Sequence, residues 1–376
     1  MAGLQIGICG AGVGGLCLAI ALQKAGHSVR VIERAEAFAR VGADVNLTPN
    51  AVNALDRLGV GQELRQVSAR PAFRISRDGI TGEETSRLPM SNATEEKYGA
   101  PQLTVHRADL LSMLEKKLPN GTVMYGVAVS SVTVEGQAGS VVLEDGSEQQ
   151  YDVVIGADGI HSAVRSSLWG GDDPKFTGIV SYRSVVPRQD IIEYVDMDSY
   201  TKWWGEVNAK QISTFPLTQG REIFVFATTP QSGWTGEGWT LEGDVDELRS
   251  AFSNFHPQAR AVLDACSSVT KSALHVREPM EQWTRGHITI MGDAAHPMMP
   301  FMAQGAAMAI EDAVVLGRSL ENVTNNHVAA ALGRYELARK ARTAEVQRNS
   351  LANNWLREGG NADWVYGYDA WSAELR

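Results

Sequence analysis

A chain of 376 residues exceeds the roughly 250–300 at which one hydrophobic core usually stops growing, so at least two domains are expected. With 44% hydrophobic and 21% charged residues it has an ordinary globular composition, and a formal charge of −10 leaves no basic surface for nucleic acid or anionic membranes. No apolar run approaches the ~20 residues that span a bilayer, and no basic leader precedes the first one, so a cytoplasmic location is expected.

Leu4 to Cys9 is a short apolar run of strand type, followed by Gly10-Ala11-Gly12-Val13-Gly14-Gly15 and an apolar stretch of helical length, Leu16 to Ala25. In this strand–turn–helix context Gly10 permits the tight turn, Gly12 lets a pyrophosphate approach the backbone and Gly15 lets helix and strand pack closely. The helix N-terminus offers unpaired amides to the phosphates. A second strand, Ser28 to Ile32, ends at Glu33, with Arg34 beside it. A carboxylate at this point suits a ribose without a 2′-phosphate, which means FAD or NAD rather than NADP.

Pro71 to Thr104 is polar, turn-rich and weakly strand-like, and His106 to Leu118 returns to helical periodicity. Val123 to Val134 and Ser140 to Leu143 read as strands, with Asp145-Gly146 as a hairpin turn. Tyr151 to Ile155 leads into a second signal, Gly156-Ala157-Asp158-Gly159. Lys175 to about Arg277 is a run of strands: Ile179 to Val186, Gln211 to Pro216 and Glu222 to Thr228. Such a sheet against a nucleotide-binding fold leaves a cleft where pockets commonly form.

The third signal, Gly292-Asp293-Ala294-Ala295-His296-Pro297, follows a strand at His287 to Met291. An aspartate at that strand end can hold the hydroxyls of a ribityl chain, which FAD has and NAD lacks. Pro297 and Pro300 stiffen a loop before a helix from Gly305 and Ala306 to Leu320, whose positive N-terminus would stabilise a reduced, anionic flavin ring. Cys9, Cys17 and Cys266 lie in apolar segments without zinc-like spacing, so buried thiols and no metal are expected.

These three signals, in this order, resemble those of group A flavoprotein aromatic hydroxylases. The resemblance is strongest to 6-hydroxynicotinate 3-monooxygenases and more distant to salicylate hydroxylases. It extends through Gly42 to Asn50, Ser76 to Gly79, His106 to Leu110, Lys202-Trp203-Trp204, Met302 to Gly305 and Asp363 to Asp369, essentially end to end. It implies a p-hydroxybenzoate-hydroxylase-like α/β fold. A Rossmann-like FAD-binding domain (1–70, 101–172 and 280–376, with C-terminal helices) would be interleaved with a substrate-binding sheet domain (71–100 and 173–279). The implied cofactor is FAD, held tightly without a covalent bond. NADH or NADPH is the implied transient reductant and molecular oxygen the oxidant, activated as a flavin C4a-hydroperoxide. The partner is a small aromatic or pyridine acid, and the protein is a monomer or homodimer. The resemblance carries Arg107 to the FAD phosphates or ring edge, Asp293 to the ribityl chain and Pro300 to the substrate-facing loop; Arg40, just before Val41-Gly42, either gates the reductant or is a solvated surface charge.

The pocket is where this chain departs from the family pattern. Pyridine-acid hydroxylases carry histidine where Asn46 and Phe301 stand. They carry a histidine and a tyrosine around Lys210 to Phe215, where this chain has Ser213 and Phe215. Neither asparagine nor phenylalanine can act as a base near neutral pH. The expected substrate is therefore a related hydroxylated ring acid, or an electron-rich ring needing less help from a base. Of Tyr182 and Arg183, strand alternation sends one toward the cleft; Arg183 would there bind a substrate carboxylate or form a structural ion pair. Lys202 is either a strand-edge residue or part of the pocket. Trp355, Trp364, Tyr366, Tyr368 and Trp371 are expected to cap the core or form an interface, and His161 and His296 to be structural. A halogenase, a reductase or a non-catalytic FAD sensor of this fold are the alternatives. The Trp-x-Trp-x-Ile-Pro signature of halogenases is absent from the sequence.

Overall fold

The computed structural model describes residues 3–37, 44–171, 173–191, 196–234, 236, 238 and 241–375. Arg40 and Gly42 lie outside the described residues. The first sheet has six strands in the order Thr284–Arg285, Ile288–Ile290, Val153–Gly156, Gln5–Cys9, Ser28–Ile32, Val123–Met124. All neighbours are parallel except the first pair. Its central strands are short Val/Ile runs buried almost throughout, as expected of a parallel sheet covered on both faces. Because these strands run the same way, Gly10, Glu33, Asp158 and Asp293 all emerge at one edge, although most of the chain separates the first from the last.

The helix Val13–Lys24 is apolar on every side and buried from Val13 to Leu22, because it is packed between this sheet and the helix Gly305–Leu320. The two helices approach so closely that a Cβ on Gly317 would lie 2.8 Å from Ala21 Cβ.

A second, eight-stranded sheet runs Leu241–Gly243, Val269–Val276, Lys175–Pro187, Glu222–Pro230, Gln211–Leu217, Tyr200–Trp204, Phe73–Asp78, Glu84–Pro89. It is antiparallel apart from the parallel pairing of Tyr200–Trp204 with Phe73–Asp78. One face is closed by the helices Val245–Ala251 and Pro257–Asp264, which bury Val180, Tyr182, Trp203, Ile212 and Val225. The other face looks toward the first sheet. A ribbon of two antiparallel strands, Asp44–Leu47 and Leu103–His106, joins the two parts, and Thr104 Oγ1 donates to Pro216 O at 2.5 Å.

Several apolar runs divide differently from their pattern. The segment 123–134 is two strands, because a turn at Gly126 (φ 70°) intervenes. Val123–Met124 joins the parallel sheet, whereas Val129–Glu135 joins Ala138–Leu143 and Glu148–Tyr151 in a three-stranded antiparallel sheet. The segment 151–155 splits likewise: Tyr151 pairs with Gly139 and Val153 with Ile6. The periodic stretch from His106 begins as a helix only at Arg107, because His106 is extended and its ring caps the Ala108 amide. The segment 71–104 holds the edge strand Glu84–Pro89, its neighbour Phe73–Asp78 and the helix Asn92–Tyr98.

Candidate active site

The glycine turn is shaped by steric exclusion. Gly10 has φ 107°, and a Cβ there would meet Ala157 O at 2.4 Å, while one on Gly15 would meet Gly10 O at 2.1 Å. Gly14 faces Ala309 Cβ and Met291 Cε, each 3.0 Å from its virtual Cβ. Gly12 differs: the nearest atom to its virtual Cβ is Arg107 Nη2 at 3.9 Å, so open space lies between this turn and a guanidinium. The Glu33 carboxylate accepts the amides of Ala11 (2.7 Å) and Ala35 (2.9 Å), which fixes it beside the turn. Arg34 is exposed.

Asp158 caps the segment leading into the helix Ala163–Trp169 by accepting Val164 N at 3.2 Å, and its Oδ1 is buried without a partner. Burial raises its carboxyl above the usual range, against hydrogen bonds from Ser162 and the Val164 amide. Asp293 is open to water within the crevice yet walled by protein. That enclosure pushes its carboxyl up, and His296 and Arg107 pull it part of the way back. A virtual Cβ on Gly305 meets nothing nearer than Met298 Cγ at 4.0 Å, so the N-terminus of its helix, with Ala306 half-buried behind it, opens into the same space.

The loop before that helix is held from below by buried charge. Asp312 accepts from Gly292 N (3.0 Å), His296 Nε2 (2.5 Å) and Arg339 Nε (2.7 Å). Glu311 accepts from Arg339 Nη1 (2.6 Å), Arg342 Nε (2.8 Å) and Asn50 Nδ2 (2.7 Å). Asn50 Nδ2 also donates to Gln304 Oε1 (3.2 Å), and Gln304 Nε2 donates to Thr48 Oγ1 (2.9 Å). Burial alone would raise the Asp312 carboxyl; His296 and Arg339 outweigh it and hold it down at about 2. His296 is thus a structural partner of Asp312, while His161 is exposed.

Strand alternation decides which residues of the large sheet face this crevice. One row across it is Ser76–Lys202–Ser213–Phe226–Arg183, and beside it Phe215 stacks on Tyr200 at 5.2 Å between centroids. Phe226 and Phe301 belong to one apolar cluster with Met299, and Lys202 Nζ lies 5.5 Å from the Phe301 ring. Phe301 is buried and Pro300 exposed, so this loop lies over the row containing Ser213. Phe215 is a packing residue, sandwiched between Tyr200 and Phe224. Arg183 takes the cleft side and Tyr182 the helix-covered side. Burial lowers the Arg183 guanidinium to about 10 against the pull of Asp44, and Arg183 Nη1 donates to Ser272 Oγ at 2.6 Å. Burial raises Asp44 to about 6, opposed by Arg183 and Arg107.

On the joining ribbon, Asn46 Oδ1 accepts Gln102 Nε2 at 2.6 Å, which leaves Asn46 Nδ2 and Gln102 Oε1 both buried without partners. Gln102 and Arg74 carried no signal in the sequence, because Arg74 reaches the region through strand pairing and Gln102 from the residue before a strand, rather than through a motif. The C-terminal aromatics close the far end of the sheet face. Trp355 packs edge-on against Trp364 and Tyr366, its carbonyl accepts Arg74 Nη2 at 3.2 Å, and Trp371 Nε1 donates to Ala54 O at 3.4 Å. Cys9, Cys17 and Cys266 are buried free thiols.

Residues 3–350 match the family model described as FAD binding domain. The chain belongs to this FAD-binding family. It is 37% identical to 6-hydroxynicotinate 3-monooxygenase of Bordetella bronchiseptica over 372 residues, covering 99% of this chain and 97% of the relative. It is 35% identical to 3-hydroxybenzoate 6-hydroxylase of Polaromonas naphthalenivorans, covering 98% of this chain and 92% of the relative. Among solved structures, a salicylate hydroxylase substrate complex superposes with a TM-score of 0.85 at 26% identity, covering 98% of this chain and 96% of that one. The protein is accordingly an FAD-dependent aromatic monooxygenase. Among the described residues no helix is long and apolar enough to cross a membrane.

Proposed function

We propose that this monooxygenase hydroxylates a small hydroxylated aromatic or pyridine carboxylic acid, with NADH or NADPH as transient reductant. The observation that carries the reading is the half-satisfied amide pair: Asn46 Nδ2 and Gln102 Oε1 are a buried donor and a buried acceptor, each without a partner. A ring hydroxyl both donates and accepts, so one such group satisfies both, and an orphaned buried polar atom otherwise costs about 1–3 kcal/mol. An amide cannot carry away a proton near neutral pH. The absence of histidine at positions 46 and 301 therefore favours a ring that is already electron-rich over 6-hydroxynicotinate.

The open space at Gly12 and Gly305, the orphaned Asp158 Oδ1 and the water-open Asp293 together fit FAD. In this reading Gly12 and Arg107 hold the pyrophosphate, Glu33 the adenosine ribose, Asp293 the ribityl chain, and the amides of Gly305 and Ala306 the polar edge of the ring. The bound flavin, once reduced, activates oxygen for transfer of one atom to the substrate. The protein's own tasks are to orient the ring and exclude water: Phe301 and Phe226 supply apolar walls, and Asn46 with Gln102 fixes a hydroxyl. Overall, a ring C–H, oxygen, NAD(P)H and a proton give a ring C–OH, NAD(P)+ and water. Where the hydroxyl enters at the carbon bearing the carboxylate, one further proton is consumed and carbon dioxide leaves.

The test is NADH and NADPH oxidation by FAD-loaded protein against hydroxybenzoates and hydroxypyridine carboxylates, with product masses. A stimulated rate and a product one oxygen heavier, with or without loss of a carboxyl, is expected. No stimulation by any member sinks the reading, and a chloride-dependent product would point to halogenation instead.

A further inference from the structure

We propose that Lys202 and Arg74 form a built anion site, on the sheet face beneath Phe301, that takes the carboxylate of the substrate. The proposal rests on the ring-acid reading above and names the residues that would recognise its acid group.

Both side chains are buried, Lys202 at 2% exposure and Arg74 at 4%, and among the described residues neither forms an ion pair. Elsewhere the fold does pair comparable cations: Lys271, also 2% exposed, is 2.6 Å from Glu247, and Arg339 is 2.6 Å from Glu311. A buried charge without a counter-ion is expensive, so its retention calls for a partner outside the chain.

The hydrogen bonds show the same deficit. Lys202 Nζ has three donors and one acceptor, Asn353 Oδ1 at 3.1 Å. Asn353 Nδ2 is committed to Gln211 Oε1 at 3.3 Å, which fixes the amide in that orientation. Arg74 gives Nη2 to Trp355 O at 3.2 Å, while its Nε is buried without an acceptor. Trp204 Nε1 is a second buried donor lacking an acceptor. The cluster is therefore rich in donors and poor in acceptors, the complement of a carboxylate.

The surroundings fit an aromatic acid rather than a hydrated ion. Lys202 Nζ sits 3.6 Å over the Trp204 ring and 5.5 Å from Phe301, and the Arg74 guanidinium lies 5.0 Å over Tyr200. Burial, with repulsion from Arg74 and Arg357, drives the Lys202 ammonium well below its usual range; a bound carboxylate reverses that pressure. Arg74 and Lys202 project on one face of adjacent strands, because Tyr200 pairs with Arg74 and Lys202 with Ser76.

The experiment titrates FAD-loaded wild type, Lys202→Met, Lys202→Gln and Arg74→Met with four probes. These are 3-hydroxybenzoate, benzoate and the two corresponding amides, followed by the change in flavin absorbance. Wild type is expected to bind each acid more tightly than its amide by on the order of 10- to 100-fold, and the Lys202 variants to lose that preference for both acids. Both Lys202 variants should retain FAD and melt, without ligand, no lower than wild type, because they lose an unpaired buried charge. Acids bound no better than amides by wild type, or a preference that survives in all variants, overturns the proposal. So does a loss confined to the hydroxylated acid, which would assign Lys202 to the ring hydroxyl, or a ligand-free melting point well below wild type. NAD(P)H oxidation in the same samples separates the two readings. Turnover with an unchanged acid preference leaves the hydroxylase standing and removes the anion site; a lost preference without turnover does the reverse.

Discussion

Replacing Asp312 by Asn keeps the side chain's volume and removes one charge from the buried network beneath the loop that precedes the helix Gly305–Leu320. In the native protein this carboxylate accepts Arg339 Nε at 2.7 Å, His296 Nε2 at 2.5 Å and Gly292 N at 3.0 Å, all fully or nearly fully buried. Holding its carboxyl at about 2 instead of 3.8 corresponds to about 2–3 kcal/mol. Breaking a buried pair while leaving its cation in place costs about 3–5 kcal/mol. Arg339 keeps Glu311, so a loss of about 3 kcal/mol at pH 7 is expected, or about 4 °C in melting temperature for a chain of 376 residues. Because the folded-state value lies below the unfolded one, the contribution is fully present above about pH 4 and disappears as the pH falls toward 2. Urea unfolding of the FAD-loaded protein at pH 7 measures it. FAD titration should also show weaker binding, since Asp312 anchors the amide preceding Asp293. A melting shift under about 2 °C with unchanged FAD affinity would refute the view that this network sets the loop.

Asp44 behaves in the opposite sense: its folded value of about 6 exceeds the usual 3.8, so its contribution is present below about pH 4 and lost as the pH rises through 6. Asp44→Asn should flatten the FAD-free protein's stability over that interval, by at most about 3 kcal/mol before screening by water in the crevice; an unchanged slope in urea unfolding contradicts it. Gly15→Ala places a Cβ 2.1 Å from Gly10 O, so protein purified without flavin absorbance is expected, and a yellow, fully loaded variant would be the contrary result. Arg107→Met should weaken FAD binding on the order of 10- to 100-fold by flavin fluorescence titration, and an unchanged affinity removes Arg107 from the phosphate site.

The cofactor side of the protein was legible in the chain because its chemistry is local. Gly10, Gly12, Gly14 and Gly15 act through backbone shape within one turn, and Glu33, Asp158 and Asp293 each follow a recognisable apolar strand, so period and punctuation sufficed to place them. Element ends were less legible where one apolar run serves two sheets, as at Gly126 and around Asp152, because the switch is made by pairing partners that lie far away in sequence. Of the pocket residues singled out from the pattern, Ser213 lies in the cleft-facing row, Phe301 packs against it, Asn46 lies on the joining ribbon and Phe215 is a packing residue beside the row.

By itself the sequence determined an α/β protein that binds FAD and the strand ends proposed to hold it, since glycine geometry and short-range alternation depend only on neighbouring residues. Only the tertiary structure decided that Arg183 rather than Tyr182 faces the crevice, that Asn46 meets Gln102, and that Lys202 and Arg74 share one buried face without a counter-ion. Those facts depend on pairing between segments that lie tens of residues to more than a hundred apart, where a register shift of one residue would turn every side chain to the opposite face.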